Sequence, residues 1–270
     1  MEKDANNMTF FEHLDAMRPG LKHIAVVFFL VFITSFCLKD YIMAIILGPM
    51  SDWFPSNRFM AYMADITGKD ILRINHDGFT LINTAIAGQF NMHIMLALYS
   101  ALILSIPYTL FEIWLFIKPA LTQNEIRGGK LFFFLSTLCM LIGLMFGYFV
   151  LSPIAVDFLS GYTLSASITN FIDISSYIGC VLNLCLTTSI VFLLPIFVYF
   201  LARMRILSGA FMKKYRKHAL VILAILSAII TPPDIMSMFL VVIPLYGLYE
   251  LSICIAAKTY KAKEVTTQEA

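Results

Sequence analysis

Six apolar stretches constrain this 270-residue chain more than any other feature, each near the length needed to cross a bilayer. A bilayer's hydrocarbon core is about 30 Å thick, and a helix rising about 1.5 Å per residue needs roughly 20 apolar residues to span it. The stretches run at about 21–42, 91–117, 131–151, 177–202, 219–232 and 236–257. With 60% of its residues hydrophobic and 13% charged, the chain departs from soluble domains, which are about one quarter charged. The expected fold is all-α: a polytopic membrane protein of six transmembrane helices in one repeat-free domain.

The basic residues orient these spans. If the N-terminus is cytoplasmic, the inner segments hold Lys3, Arg18, Lys22, Lys118, Arg127, Lys130, Arg203, Arg205, Lys213, Lys214, Arg216, Lys217, Lys258, Lys261 and Lys263. Only Lys39, Arg58, Lys69 and Arg73 of the 19 Lys and Arg then face outward. The positive-inside rule therefore predicts that both ends are cytoplasmic. Three regions follow: a cytoplasmic segment 1–20 with a short amphipathic helix, a six-span domain 21–257, and a cytoplasmic tail 258–270. Residues 2–18 mix Glu2, Asp4, Glu12 and Asp15 with Lys3 and Arg18, unlike the basic start of a cleavable signal peptide, so the first span is expected to stay. A net charge of +2 gives no reason to expect nucleic acid as a partner. Cys37, Cys139, Cys180, Cys185 and Cys254 all lie in apolar stretches without metal or redox spacing, and read as small hydrophobes.

The loops and spans are uneven. The first outer loop, about 43–90, is long enough for a short helix of its own, and its stretch LINTAIAGQF is partly apolar. The second, 152–176, carries Asp157 and Asp173, and the third is a tight turn at TPPD. The fifth span, ALVILAILSAIITP, covers only about 21 Å as a helix. A short closing hairpin of this kind would thin the bilayer locally or seek partners.

Charges inside membrane segments are costly and are usually paired or functional. Glu112 lies in the second span and Glu250 in the sixth, and Asn183 is polar in the fourth. Glu112 precedes Lys118 by six residues, which puts it toward the inner interface. Its bland reading is a snorkelling or neutral, hydrogen-bonded carboxyl; its sharper reading is a proton carrier. Pro107, Pro153, Pro195 and Pro244 fall in or at the ends of spans and suggest bent helices forming a concave wall. No serine-hydrolase, HExxH, GxGD or Walker signature is present. The chain therefore does not read as an enzyme, and neither cofactor nor metal is called for.

Three stretches carry a family resemblance. HLDAMR at 13–18 is similar to an HLxELR opening, FIKPALTQNE at 116–125 to FxxPxLxxxE, and TPPD at 231–234 followed by IPLYGLYE at 243–250 to a closing IPxxxLxE. Together they resemble the TatC subunit of the twin-arginine protein translocase over about 9–257. The resemblance implies a subunit of the bacterial cytoplasmic (inner) membrane that binds signal peptides bearing two adjacent arginines. It also implies export of folded proteins using the proton-motive force. The expected partners are single-span membrane proteins of the TatA/TatB type in a hetero-oligomer.

Adjacent arginines call for carboxylates of bidentate geometry. By match to the family, Glu125 takes part in that binding, with Arg18 and Arg127 beside it. The chain departs from the pattern at Ala16, where the family usually has Glu. Two substitutes remain: Glu12, on the same helix face four residues away, and Asp15, nearer but turned by about 100°. The fourth span has Leu193 where the family usually has Glu, the second has Glu112 where Gln is frequent, and Met238 stands where a polar residue is frequent. Glu112, Glu250 and Asp234 are the resulting polar positions for partner contacts, with Glu112 replacing the lost intramembrane carboxylate. A gradient-driven small-solute or ion transporter is the second reading. It rests on Glu112 and Glu250, and needs broken helices at the midplane.

Thr9 and Glu12 fit a capping box that would start a short helix. Pro19-Gly20 is expected to end it, leaving a hinged piece on the cytoplasmic face.

Overall fold

The computed structural model describes residues 10–68, 80–118, 129–163, 165, 170–203, 206–230 and 235–268. Within these the regular structure is helical apart from one pair of two-residue strands. Helices α1 (Phe10–Cys37), α2 (Lys39–Ile46), α3 (Pro55–Thr67) and α4 (Gly88–Ile117) come first. Helix α5 (Gly129–Phe146) passes through a π-helical turn, Gly147–Leu151, into α6 (Ser152–Gly161). Next are α7 (Ile174–Val191), α8 (Leu194–Arg203), the short α9 (Gly209–Lys214), α10 (Arg216–Ile230) and α11 (Ile235–Gln268). Strands β1 (Leu81–Ile82) and β2 (Ile172–Asp173) pair in parallel, Leu81 opposite Ile172.

Four segments are long and apolar enough to cross a membrane: Met17–Cys37, Gly88–Phe116, Phe133–Gly161 and Ile174–Ala202. The fifth and sixth apolar stretches are also helical but shorter: α10 has 15 residues, and the apolar part of α11 is Val241–Ala257. Fifteen residues rise about 22 Å, less than the hydrocarbon core.

The sequence expectations need four corrections. Helix α1 is continuous through Pro19 and Gly20, so no hinge separates an N-terminal helix from the first span. Proline removes one backbone donor, a loss that membrane helices tolerate when neighbours pack against them, and α1 packs along α4. The first span stops at Cys37, and the chain restarts as α2. The third apolar stretch runs on to Gly161 through the π turn. There the buried Ser152 hydroxyl donates to the Gly147 carbonyl at 2.8 Å, meeting an acceptor in the widened turn. In the first outer loop the helix is Pro55–Thr67, started by Pro55 and stopped at Gly68, whose φ of 64° suits glycine. LINTAIAGQF instead supplies β1 and the first turn of α4. Helix α11 itself runs on to Gln268, into the segment expected as the cytoplasmic tail.

The core lies where α4, the α5–α6 rod and α7 meet. Leu96, Ile103, Val156, Ile178, Val181 and Leu182 form its largest cluster. A smaller one joins Leu110, Met140 and Leu193. Leu193, at the position where the resemblance leads one to expect Glu, is thus an apolar core residue. The outer loop is tied to the π turn: Tyr148 donates to the Ile45 carbonyl at 2.5 Å, Ser56 to Phe149, and Phe54 stacks on Phe149 at 5.3 Å. The five cysteines are free.

Candidate functional site

Two contacts set the register of α1 and α4. Gly20 faces Glu112 near one end, and Phe36 stacks on His93 at 3.8 Å near the other. The helices are therefore antiparallel, and the start of α1 lies at the same end as the close of α4. Glu12 and Asp15 are on the first turns of α1, and 119–128 follows Lys118 at the end of α4. The side chains of Glu12, Asp15 and Ala16 lie outside the described part of the structure. So do Glu125, Arg127 and Asp234 entirely. Arg18 is exposed on α1 and makes an interaction.

Glu112 is the described carboxylate at this end of the bundle, and its side chain is only 9% exposed. It does not snorkel. Tyr108, one turn earlier on α4, donates its hydroxyl to Glu112 Oε1 at 2.7 Å. His23 of α1 brings Nδ1 to 3.3 Å from the same oxygen. Glu112 Oε2 looks onto the bare backbone of Gly20, where an added Cβ would come within 3.2 Å. Glu112, His23 and Gly20 line a cleft of about 290 Å³ together with Met17, Ile24, Leu115 and Phe116. Burying a carboxylate is costly unless hydrogen bonds replace water; Tyr108 supplies one, and the His23 ring stands close by.

The other polar residues singled out in the sequence are also satisfied. Glu250 Oε2 lies 2.6 Å from Arg216 Nη2, joining α11 to the first turn of α10. Asn183 Oδ1 accepts from the Tyr99 hydroxyl at 2.7 Å, joining α7 to α4. The helices carrying Glu112 and Glu250 are each continuous, so neither residue sits on the broken helix that a midplane transport site requires.

Outside the spans, Asp173 caps α7 by accepting from the Ser175 amide at 2.8 Å. It also takes the Thr84 hydroxyl at 3.0 Å and so clips the two outer loops together. These hydrogen bonds, those from Ser175 foremost, hold its carboxyl well below the ordinary value, at about 2.

Sequence reasoning missed His23 and Tyr108 as partners of Glu112. Tyr108 was within reach of pattern reading, because residues four apart share a helix face. His23 was not, because its meeting with Glu112 depends on the register of α1 against α4 and on α1 continuing past Pro19.

A bundle of long apolar helices with an acidic cleft at the shared end of its first two long helices defines an all-α, multi-pass membrane protein with a buried acid near one end. The chain belongs to the TatC family: the family model described as Sec-independent protein translocase protein (TatC) matches residues 12–244. It is thus a protein translocase component of the bacterial cytoplasmic (inner) membrane. A Sec-independent protein translocase protein TatC from Blattabacterium sp. subsp. Periplaneta americana is 36% identical, over 97% of this chain and all of that protein. TatCy of Bacillus subtilis is 28% identical over 95% of this chain and 91% of its own. A crystal structure of the twin-arginine translocase receptor TatC superposes with a TM-score of 0.71 at 27% identity, over 91% of this chain and 98% of that one. Its counterpart in the detergent DDM gives 0.73.

Proposed function

We propose that this chain is the receptor subunit of a twin-arginine translocase. It binds signal peptides bearing adjacent arginines at the cytoplasmic end of the bundle and passes folded proteins across the membrane at the expense of the proton-motive force. Six spans with both ends cytoplasmic complete the topology, with α10 and α11 as the two closing spans. The observation that carries the reading is the antiparallel α1–α4 pair, which brings the first turns of α1 and Lys118, at the close of α4, to one end. Glu125 and either Glu12 or Asp15 are the arginine acceptors, with Arg18 and Arg127 framing them. TatA/TatB-type single-span proteins join as partners in a hetero-oligomer, with Glu250 and Asp234 as polar contacts. Arginine pairs are favoured over lysine pairs because two parallel N–H donors of a guanidinium match a carboxylate.

The test is binding of a fluorescent signal peptide carrying RR or KK to the purified protein in nanodiscs. Wild type is expected to prefer RR at least tenfold, and Glu125→Ala to lose that preference. Equal binding of RR and KK by wild type would refute the reading.

A further inference from the structure

The cleft between α1 and α4 contains a carboxylate oxygen left open. Glu112 Oε1 takes both the Tyr108 and the His23 contacts. Among the described residues no donor reaches Oε2, which faces Gly20. We propose that this cleft is a subsite for a basic side chain of a bound peptide, its guanidinium or ammonium group seated on Glu112 Oε2. The inference rests on the reading that the chain receives an arginine-bearing peptide, and adds where one of its cations goes.

Three observations support it. Glu112 is only 9% exposed, and the oxygen that no protein donor reaches is left open at the cleft, where an arriving donor would complete it. The cleft has the right walls: Met17, Ile24, Leu115 and Phe116 offer apolar surface to the methylene stem of Arg or Lys, with the acid at the floor. Access to Oε2 depends on glycine, since a methyl at position 20 would stand 3.2 Å from that oxygen. Placement points to the peptide rather than to a partner helix. In the continuous α1, positions 12, 16 and 20 are spaced by four and share one face. Glu112 therefore presents its acid, from α4, against the Gly20 position of that stripe, about two turns beyond position 12. Ala16 gives that stripe no acid of its own.

The probes are peptides carrying RR or QQ, titrated against the full chain in nanodiscs of fixed composition. Glu112→Gln is expected to weaken RR binding at least tenfold with little effect on QQ. Gly20→Ala, which keeps the acid but crowds Oε2, gives a smaller loss. Ala16→Glu in the Glu112→Gln background restores a carboxylate on the same stripe and recovers most of the affinity, which a merely misfolded Glu112→Gln protein could not do. Undiminished RR binding by Glu112→Gln, where wild type still prefers RR over QQ, would overturn the subsite and leave the receptor reading intact. Loss of a copurifying single-span protein with RR binding unchanged would overturn it in favour of a helix contact. If wild type itself shows no preference for RR over QQ, both readings fall.

Discussion

Gly143 offers the sharpest test of how closely the bundle is packed. A Cβ added there would lie 2.6 Å from the Thr188 carbonyl oxygen and 2.7 Å from Phe192 Cβ. The first is backbone near the end of α7 and cannot rotate away, so α5 and α7 would have to part. Overpacking of this kind costs about 1–3 kcal/mol. Gly143→Ala also gains about 0.5–1 kcal/mol, because alanine favours the helix over glycine. The matched control is Gly247→Ala in α11, where nothing lies within 4 Å of the added methyl. Both variants share the propensity gain, so their difference isolates the clash, and Gly143→Ala should be the less stable by about 2 kcal/mol. Unfolding in mixed micelles of rising SDS fraction, followed by circular dichroism, measures that difference. Equal midpoints for the two variants would mean that α5 and α7 do not approach at Gly143, and the reasoning would fail.

Two further outcomes follow from named contacts. Asp173 has a folded-state carboxyl pKa near 2 against an ordinary 3.8, so its contribution is whole above about pH 4 and is lost as pH falls toward 2. Protection of the Ser175 amide against hydrogen exchange, relative to the intrinsic rate at each pH, should therefore fall over that window in wild type but not in Asp173→Asn; constant protection in wild type would refute the clip. The Arg216–Glu250 pair is partly exposed, at 44% and 32%, so a double-mutant cycle with Arg216→Gln and Glu250→Gln should give a coupling of only about 0.5–1 kcal/mol. A coupling of zero would show that the two helices are not joined there.

Much of the fold was legible because membrane insertion is a local, cumulative property. Each apolar stretch reports its own length against the bilayer, and the helices at 88–117, 174–203 and 216–230 fall within a few residues of where hydropathy put them. The family was legible for a related reason, since its motifs are short and contiguous. Local signals failed where two of them competed. Pro19-Gly20 reads as a helix stop, yet α1 runs through it against α4. LINTAIAGQF is apolar enough to suggest a helix, yet Leu81 and Ile82 pair with Ile172 and Asp173 from a distant loop.

The sequence by itself determined the class of protein, the long spans and the presence of an acid at position 112. Only the tertiary structure decided what surrounds that acid, because beside Tyr108 of its own helix it meets His23 and Gly20 of α1, some ninety positions away in the chain. Hydropathy sums over neighbours in sequence and is blind to helix register. The register of α1 against α4 is set by close packing at Gly20 and by the Phe36–His93 stack. That register is what gives Glu112 a histidine on one oxygen and leaves the other open beneath a glycine.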